Sequence, residues 1–188
     1  NDVRVIGKYA FSSCEKLRHI EISKESKLQT IEEGAFLFSA IENITVPNEV
    51  KKIGKQAFSF CGKLRQIEIS KESKLQTIGE GAFNVSSIGI ITLPNGVKNI
   101  GKHAFYNCNS LRLVELTKES KLETIEESTF YETSIKNITI PNDVRIISKH
   151  AFYRCDKLRR VELTKDSKLQ MIGEEAFAGT PIKKITIP

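Results

Sequence analysis

The sequence lacks any run of apolar residues long enough to cross a bilayer. A membrane-spanning helix needs about 18 or more consecutive, predominantly apolar residues, whereas 28% of these 188 residues are Asp, Glu, Lys or Arg and interrupt every apolar segment. Long amphipathic segments with helical spacing are also absent, which argues against full helices. We therefore expect no direct membrane insertion and little helix.

Residues that carry catalytic or metal chemistry are scarce. The three histidines are His19, His103 and His150. No nucleophile–base pair, glycine-rich phosphate loop or paired-acid site stands out. We accordingly predict no enzyme, no catalytic residue, no metal site and no cofactor.

Repetition, in contrast, is abundant. A period of 47 residues occurs four times and accounts for all 188 residues. It is visible in three columns: Phe11, Phe58, Phe105 and Phe152; Cys14, Cys61, Cys108 and Cys155; Pro47, Pro94, Pro141 and Pro188. A fixed period of this length indicates stacked structural units rather than one globular core.

Each 47-residue repeat divides into related units of 25 and 22 residues. Each unit has the pattern Ile-x-x-x-Ala-Phe, as at residues 6–11 and 31–36, with Thr129 the single exception to the Ala. A second pattern, Leu-x-x-Ile-x-Ile at residues 17–22, follows. Its alternating end predicts a short strand with one buried face. Because every unit repeats the last one, neighbouring strands should be parallel, with short turns or 3₁₀ segments on the outer side.

These motifs resemble the BspA-like branch of the leucine-rich repeat superfamily. Residues 53–61 read I-G-K-Q-A-F-S-F-C and residues 64–69 read L-R-Q-I-E-I. The resemblance covers essentially the whole chain. It implies a leucine-rich repeat solenoid, α/β by convention but mostly parallel β-sheet, of eight repeats in one domain, 1–188. Solenoids need polar end caps, and none is visible, so we expect a part of a longer protein.

The resemblance also implies a function, namely a non-catalytic protein-binding module of a cell-surface or secreted protein. Its partners would be host matrix or cell-surface proteins, bound in adhesion by a bacterium or parasitic protist. In leucine-rich repeats the outward side chains of the strands form a concave binding face. Here one outward row is varied: His19, Asn43, Gln66, Ile90, Leu113, Asn137, Arg160 and Lys184. A second row alternates strictly, with Glu21, Glu68, Glu115 and Glu162 separated by Thr45, Thr92, Thr139 and Thr186.

Two further features of the outward face are open to a structural test. Ile90 and Leu113 should be adjacent and exposed. The row Arg18, Arg65, Arg112 and Arg159 could reach Glu residues on neighbouring turns.

Three glycosylation sequons begin at Asn43, Asn84 and Asn137, and chance matches are expected in a repeat rich in Asn and Thr.

The cysteines should be free and buried thiols. Equivalent residues two turns apart are separated by ~9.5 Å, from twice the strand spacing. A disulfide needs Cα atoms within about 7 Å. Ser39, Ser86, Thr133 and Thr180 hold the same position in the other units, so we predict a column of small polar atoms that bond the turn backbone.

The charge of the chain leaves several alternatives open. The net charge is +6, but the lysine loops at residues 24–27, 71–74, 118–121 and 165–168 each contain an acid, which is typical of solvated faces. Nucleic-acid motifs are absent, so we expect no nucleic-acid partner.

An anionic polymer could still bind these lysine loops. An intracellular, cytoplasmic scaffold and a structural spacer also remain possible, and the exposed end strands predict edge or end-to-end self-association.

Overall fold

The computed structural model describes residues 2–23 and 25–188. The described residues form a parallel β-solenoid with two ladders of strands, and they contain no helix. None of them therefore belongs to a helix that could cross a membrane. The leucine-rich repeat solenoid predicted from the sequence is confirmed.

The longer strands form the main sheet, which lies where the Leu-x-x-Ile-x-Ile pattern placed it. Its strands are β3 (Asn43–Val46), β5 (Gln66–Ile69), β7 (Ile90–Thr92), β9 (Leu113–Glu115), β11 (Asn137–Thr139) and β13 (Arg160–Glu162). The pairs β3–β5, β7–β9 and β11–β13 are parallel, and a bridge from His19 to Asn43 adds the first unit. Side chains alternate between buried and outward, as the period-two pattern requires.

A second ladder of two-residue strands, which the sequence did not predict, runs along the chain beside the main sheet. Its eight strands, one for each sequence unit, are β1 (Val5–Ile6), β2 (Thr30–Ile31), β4 (Lys52–Ile53), β6 (Thr77–Ile78), β8 (Asn99–Ile100), β10 (Thr124–Ile125), β12 (Ile146–Ile147) and β14 (Met171–Ile172). They pair in parallel, from β1 to β8 and from β10 to β14. Each ends on the Ile of the Ile-x-x-x-Ala-Phe pattern.

The turn after each short strand is stabilised by two alternating sets of backbone hydrogen bonds. In the first unit the amides of Tyr9, Phe11 and Ser13 donate to carbonyls of the next unit at 3.0, 2.7 and 2.7 Å. The amides between them donate within the turn, three residues back. Tyr9 and Ser13 both have φ of 56°, in the left-handed region. Of the predicted short turns or 3₁₀ segments, the described residues form turns, because a backbone that reverses the sign of φ twice in five positions is not a 3₁₀ helix.

The core is a continuous stack of phenylalanine rings. Successive rings lie 5.1–5.4 Å apart and nearly parallel. The stack contains Phe11, Phe36, Phe58, Phe83, Phe105, Phe130, Phe152 and Phe177. Only the two end members are partly exposed. Each interior ring is covered on both faces by its neighbours, so the units share one core.

The cysteines lie beside this stack as free thiols. Cys61, Cys108 and Cys155 are buried, and their Sγ atoms donate to the carbonyl oxygens of Phe36, Phe83 and Phe130 at 3.0, 2.9 and 3.0 Å. The predicted bonding to the turn backbone is confirmed for these three thiols. Cys14 is half-buried, which corrects the expectation that all four are buried. The three buried thiols each contact the unit before them, as Cys61 does through Ser39 and Phe36.

Candidate functional site

The outward face of the main sheet places the two predicted rows side by side. Parallel pairing puts Asn43 beside Gln66, Ile90 beside Leu113, and Asn137 beside Arg160 in the varied row. His19 joins through its bridge to Asn43. Lys184 is exposed in the last unit. One face of about seven strand spacings, each ~4.8 Å, thus carries these residues in a line.

The alternating Glu and Thr residues form hydrogen-bonded pairs across neighbouring strands. Three of the four Thr hydroxyls donate to the Glu carboxylate of the next unit, from Thr45 to Glu68 at 3.1 Å, from Thr92 to Glu115 at 2.5 Å and from Thr139 to Glu162 at 3.0 Å. The regularity of this row therefore has a structural explanation. Glu21 is exposed in the first unit.

The centre of the varied row is apolar and exposed. Ile90 and Leu113 are 42% and 37% exposed, although each stands next to a buried residue of the same strand. Polar contacts lie on both sides of them. The Gln66 amide donates to Glu68 at 2.9 Å, and the Arg160 guanidinium pairs with Glu162 at 2.5 Å. The face thus has an apolar centre inside a polar surround.

The arginine row contacts an acid at only one of its four positions in the described chain. Arg18 donates to Glu42 at 2.8 Å, and this hydrogen bond lowers the pKa of the Glu42 carboxyl. Arg65, Arg112 and Arg159 make no ion pair with a described residue. The predicted reach to neighbouring Glu residues holds for the first arginine alone. Glu42 also lies beside Arg65 but is paired with Arg18, and its equivalents in later units are Gly89, Lys136 and Lys183.

The sequon residues lie in two different environments. Asn43 and Asn137 are exposed in the main sheet. Asn84 lies in a turn, where its side-chain Oδ1 is buried without a hydrogen-bond partner. Whether any of the three carries a glycan stays a prediction.

Lysines on the loops and turns are largely paired with acids one unit away. Lys74 pairs with Glu49, and Lys168 with Asp143, each at 2.6 Å. On the turns, Lys102 pairs with Glu127 at 3.1 Å. Hydrogen bonds across these pairs raise the pKa of Lys102 and lower that of Asp143. Lys24 of the first lysine loop lies outside the described residues.

The comparisons with known proteins agree with this geometry. The family model for the BspA type leucine rich repeat region matches residues 1–112 and 76–188. Together the two matches span the whole chain. The chain belongs to the BspA-type leucine-rich repeat family. No curated protein matches this BspA-type repeat chain.

Solved structures show the same repeat architecture. A leucine-rich repeat protein from Bacteroides ovatus is 34% identical and has a TM-score of 0.87. The match covers 100% of this chain and 47% of the Bacteroides ovatus chain. The pneumococcal vaccine antigen PcpA is 30% identical, with a TM-score of 0.68 over 96% of this chain and 47% of its own. A leucine-rich cell surface protein from Faecalibacterium prausnitzii, 24% identical over 92% of this chain and 57% of its own, shares the fold with a TM-score of 0.50. The BspA-type repeat chain thus spans about half the length of the first two.

The structure also shows stacked aromatic residues on the turns, exposed for Phe38 and Phe60 and half-buried for the tyrosines, that sequence reasoning missed. Phe38 and Phe60 stack at 4.7 Å, and Tyr106, Tyr131 and Tyr153 stack at 4.5 and 5.1 Å. The tyrosines directly follow the core Phe of their units, and Phe38 and Phe60 lie two positions beyond theirs. Aromatic residues at the same offset in neighbouring units were the available signal, since the repeat places equal offsets side by side.

Proposed function

We propose that this BspA-type repeat chain is a non-catalytic protein-binding module of a cell-surface or secreted protein that acts in adhesion. The observation that carries the proposal is the exposed pair Ile90 and Leu113 at the centre of the outward face of the main sheet. Protein interfaces typically combine an apolar centre with a polar rim. The partner is a protein of the host matrix or of another cell surface.

The hydrogen-bonded Glu and Thr row supports this assignment. Its side chains bond to one another across the strands, so they give a rigid frame beside the varied row. A rigid frame lowers the entropy lost on binding. Recognition would then depend on the varied row, where side chains differ from unit to unit.

The proposed surface location has support from a relative. The pneumococcal protein, 30% identical to this chain, is described as a vaccine antigen, which agrees with an exposed location. Free thiols suggested a cytoplasmic alternative. However, Cys61, Cys108 and Cys155 are buried, and burial protects thiols from oxidation in any compartment.

The test is a binding screen against matrix proteins and host cells with two matched pairs of substitutions. Ile90→Gln with Leu113→Gln removes the apolar centre, and Gln66 shows that Gln is tolerated in this row. Phe38→Asn with Phe60→Asn removes another exposed, adjacent apolar pair, and Asn107 holds the equivalent position with φ of 53°. We expect roughly tenfold or greater loss of affinity for the first pair, as for apolar hot spots, and no change for the second.

Two results would contradict the proposal. One is the absence of any protein ligand in the screen. The other is equal loss of affinity for both pairs of substitutions, which would mean that general surface hydrophobicity, and not this face, drives the binding. Thermal unfolding of each variant should show that it is fully folded at the temperature of the binding assay.

A further inference from the structure

We propose a second site on the same face, in which a strip of basic residues in the last four units binds a linear sulfated polysaccharide. The basic strip consists of Arg112, Lys136, Arg159, Arg160, Lys183 and Lys184. All six side chains are exposed. This inference does not depend on the protein-binding centre at Ile90 and Leu113, which lies beside the strip.

Backbone hydrogen bonds between units align most of the strip into one column. The backbone amide of Lys136 donates to the carbonyl oxygen of Arg112 at 3.4 Å. The backbone amide of Arg159 donates to the carbonyl oxygen of Lys136 at 2.9 Å. The last unit continues the line, since Lys183 and Lys184 border the same surface depression as Arg159 and Arg160. Positive charges are thus repeated at the strand spacing of ~4.8 Å.

The charge of this column changes along the solenoid in a way that the stacking does not require. At the start of the chain the column alternates, with Arg18 paired to Glu42 at 2.8 Å. The equivalents of Glu42 in the later units are Gly89, Lys136 and Lys183. Like charges on adjacent strands are destabilising. Lysine in place of the acid therefore leaves like charges side by side in this column. An anionic ligand would relieve their repulsion when it binds.

The strip is also deficient in carboxylate partners. Arg112, Lys136, Arg159, Lys183 and Lys184 make no ion pair with any described residue, and Arg160 alone contacts an acid, Glu162. Lysines at the turns behave differently. Lys55, Lys102 and Lys149 each pair with a Glu one unit away at 2.9–3.1 Å. The turn lysines are therefore compensated, whereas on the strip Arg160 alone has an acidic partner.

The chemistry of the strip favours a sulfated polysaccharide over other polyanions. The strip contains no aromatic residue on which bases could stack, as single-stranded nucleic acids usually require. It also lacks the buried aromatic anchors of protein interfaces. Guanidinium groups bind planar or tetrahedral oxyanions through paired hydrogen bonds. Three of the six strip residues are arginines and the other three are lysines, and a linear chain with sulfates along its length fits such a line of cations.

The test measures binding of a size-defined heparin oligosaccharide by titration calorimetry at low and high salt. We compare the unmodified chain with Lys136→Glu plus Lys183→Glu, which supplies the acid that Glu42 places at the equivalent position. The control is Lys71→Glu plus Lys165→Glu, which makes the same change of net charge in the lysine loops. We expect the strip substitutions to weaken binding roughly tenfold and the loop substitutions to weaken it less than about threefold. Affinity of the unmodified chain should fall as salt rises.

Further arms of the experiment identify the ligand class. Desulfated heparin should bind at least about tenfold more weakly than heparin, because the charges that the strip contacts are removed. Single-stranded DNA and polyglutamate of equal charge should compete poorly. Equal loss in the strip and loop variants, equal affinity for DNA or polyglutamate, or no heparin binding would each overturn the proposal. Ile90→Gln with Leu113→Gln should leave heparin binding unchanged, which separates this site from the protein-binding centre.

Discussion

The interior of the solenoid and the outward face of the main sheet are built from the same strands, yet they obey different rules. Consecutive residues Ile90 and Ile91 illustrate this, since they are 42% and 1% exposed. Inside, the neighbouring unit fixes the residue type, so Phe and Ile repeat. Outside, the Glu and Thr row and the arginine row recur regularly, whereas the varied row differs from unit to unit. The difference teaches that variation in a stacked repeat is informative only where stacking does not constrain the side chain.

The largest effect should come from breaking the interior stack. Phe83 is fully buried between Phe58 and Phe105. Phe83→Ala should lower the free energy of unfolding by about 3–5 kcal/mol, because it removes buried apolar surface and leaves a cavity. Phe60→Ala, at a 41% exposed ring, is the control and should cost about 1 kcal/mol or less. Chemical denaturation measures both values, and similar costs would show that the stack is not the main source of stability.

A smaller effect should come from the close contact between short-strand turns. A Cβ at Gly79 would lie 2.5 Å from the Lys55 amide nitrogen, so Gly79→Ala forces the backbone apart and should cost about 1–3 kcal/mol. Glu126 occupies the equivalent position in a later unit, so the turn can adjust, which limits the cost. Gly62→Ala is the control because nothing lies within 4 Å. Equal unfolding temperatures for the two variants would contradict this account.

The smallest effect is a difference in thiol reactivity between Cys14 of the first unit and the buried cysteines of the interior. Burial raises the pKa of Cys108 and of Cys155 to about 11, from the ordinary 9.0. At pH 8 a thiol reagent should therefore label Cys14 first in the native chain, and all four cysteines after unfolding. Labelling of the native interior thiols at the rate of Cys14 would contradict their burial.

The raised thiol pKa values also predict a dependence of stability on pH. Between about pH 9 and 11 the native thiols keep their protons while the unfolded thiols lose theirs. The contribution of these thiols to stability is therefore complete below pH 9 and is lost as the pH rises through 11. Cys108→Ala should reduce this slope in denaturation measured across that range. An unchanged slope would mean that other groups cause it.

Much of this architecture could be predicted from sequence because the repeat displays each position eight times. The Phe column, the parallel strands and the exposure of Ile90 beside Leu113 all followed from period and alternation. The short-strand ladder could not be predicted in this way, since its strands are two residues long and all but the last hold a single buried Ile. The left-handed turn residues could not be predicted either, because their φ values are imposed by hydrogen bonds to the next unit. Val85, for example, has φ of 54° although β-branched residues disfavour it.

The sequence by itself determined the repeat, the core columns and the direction of the strands, because these depend on periodicity alone. Only the tertiary structure decided which charges meet. Arg18 and Arg112 are equivalent in the repeat, but the first pairs with Glu42 and the second lies beside Lys136. Most electrostatic partners come from adjacent units, 22–25 residues away in the chain, so their identity depends on the register of stacking rather than on a local motif.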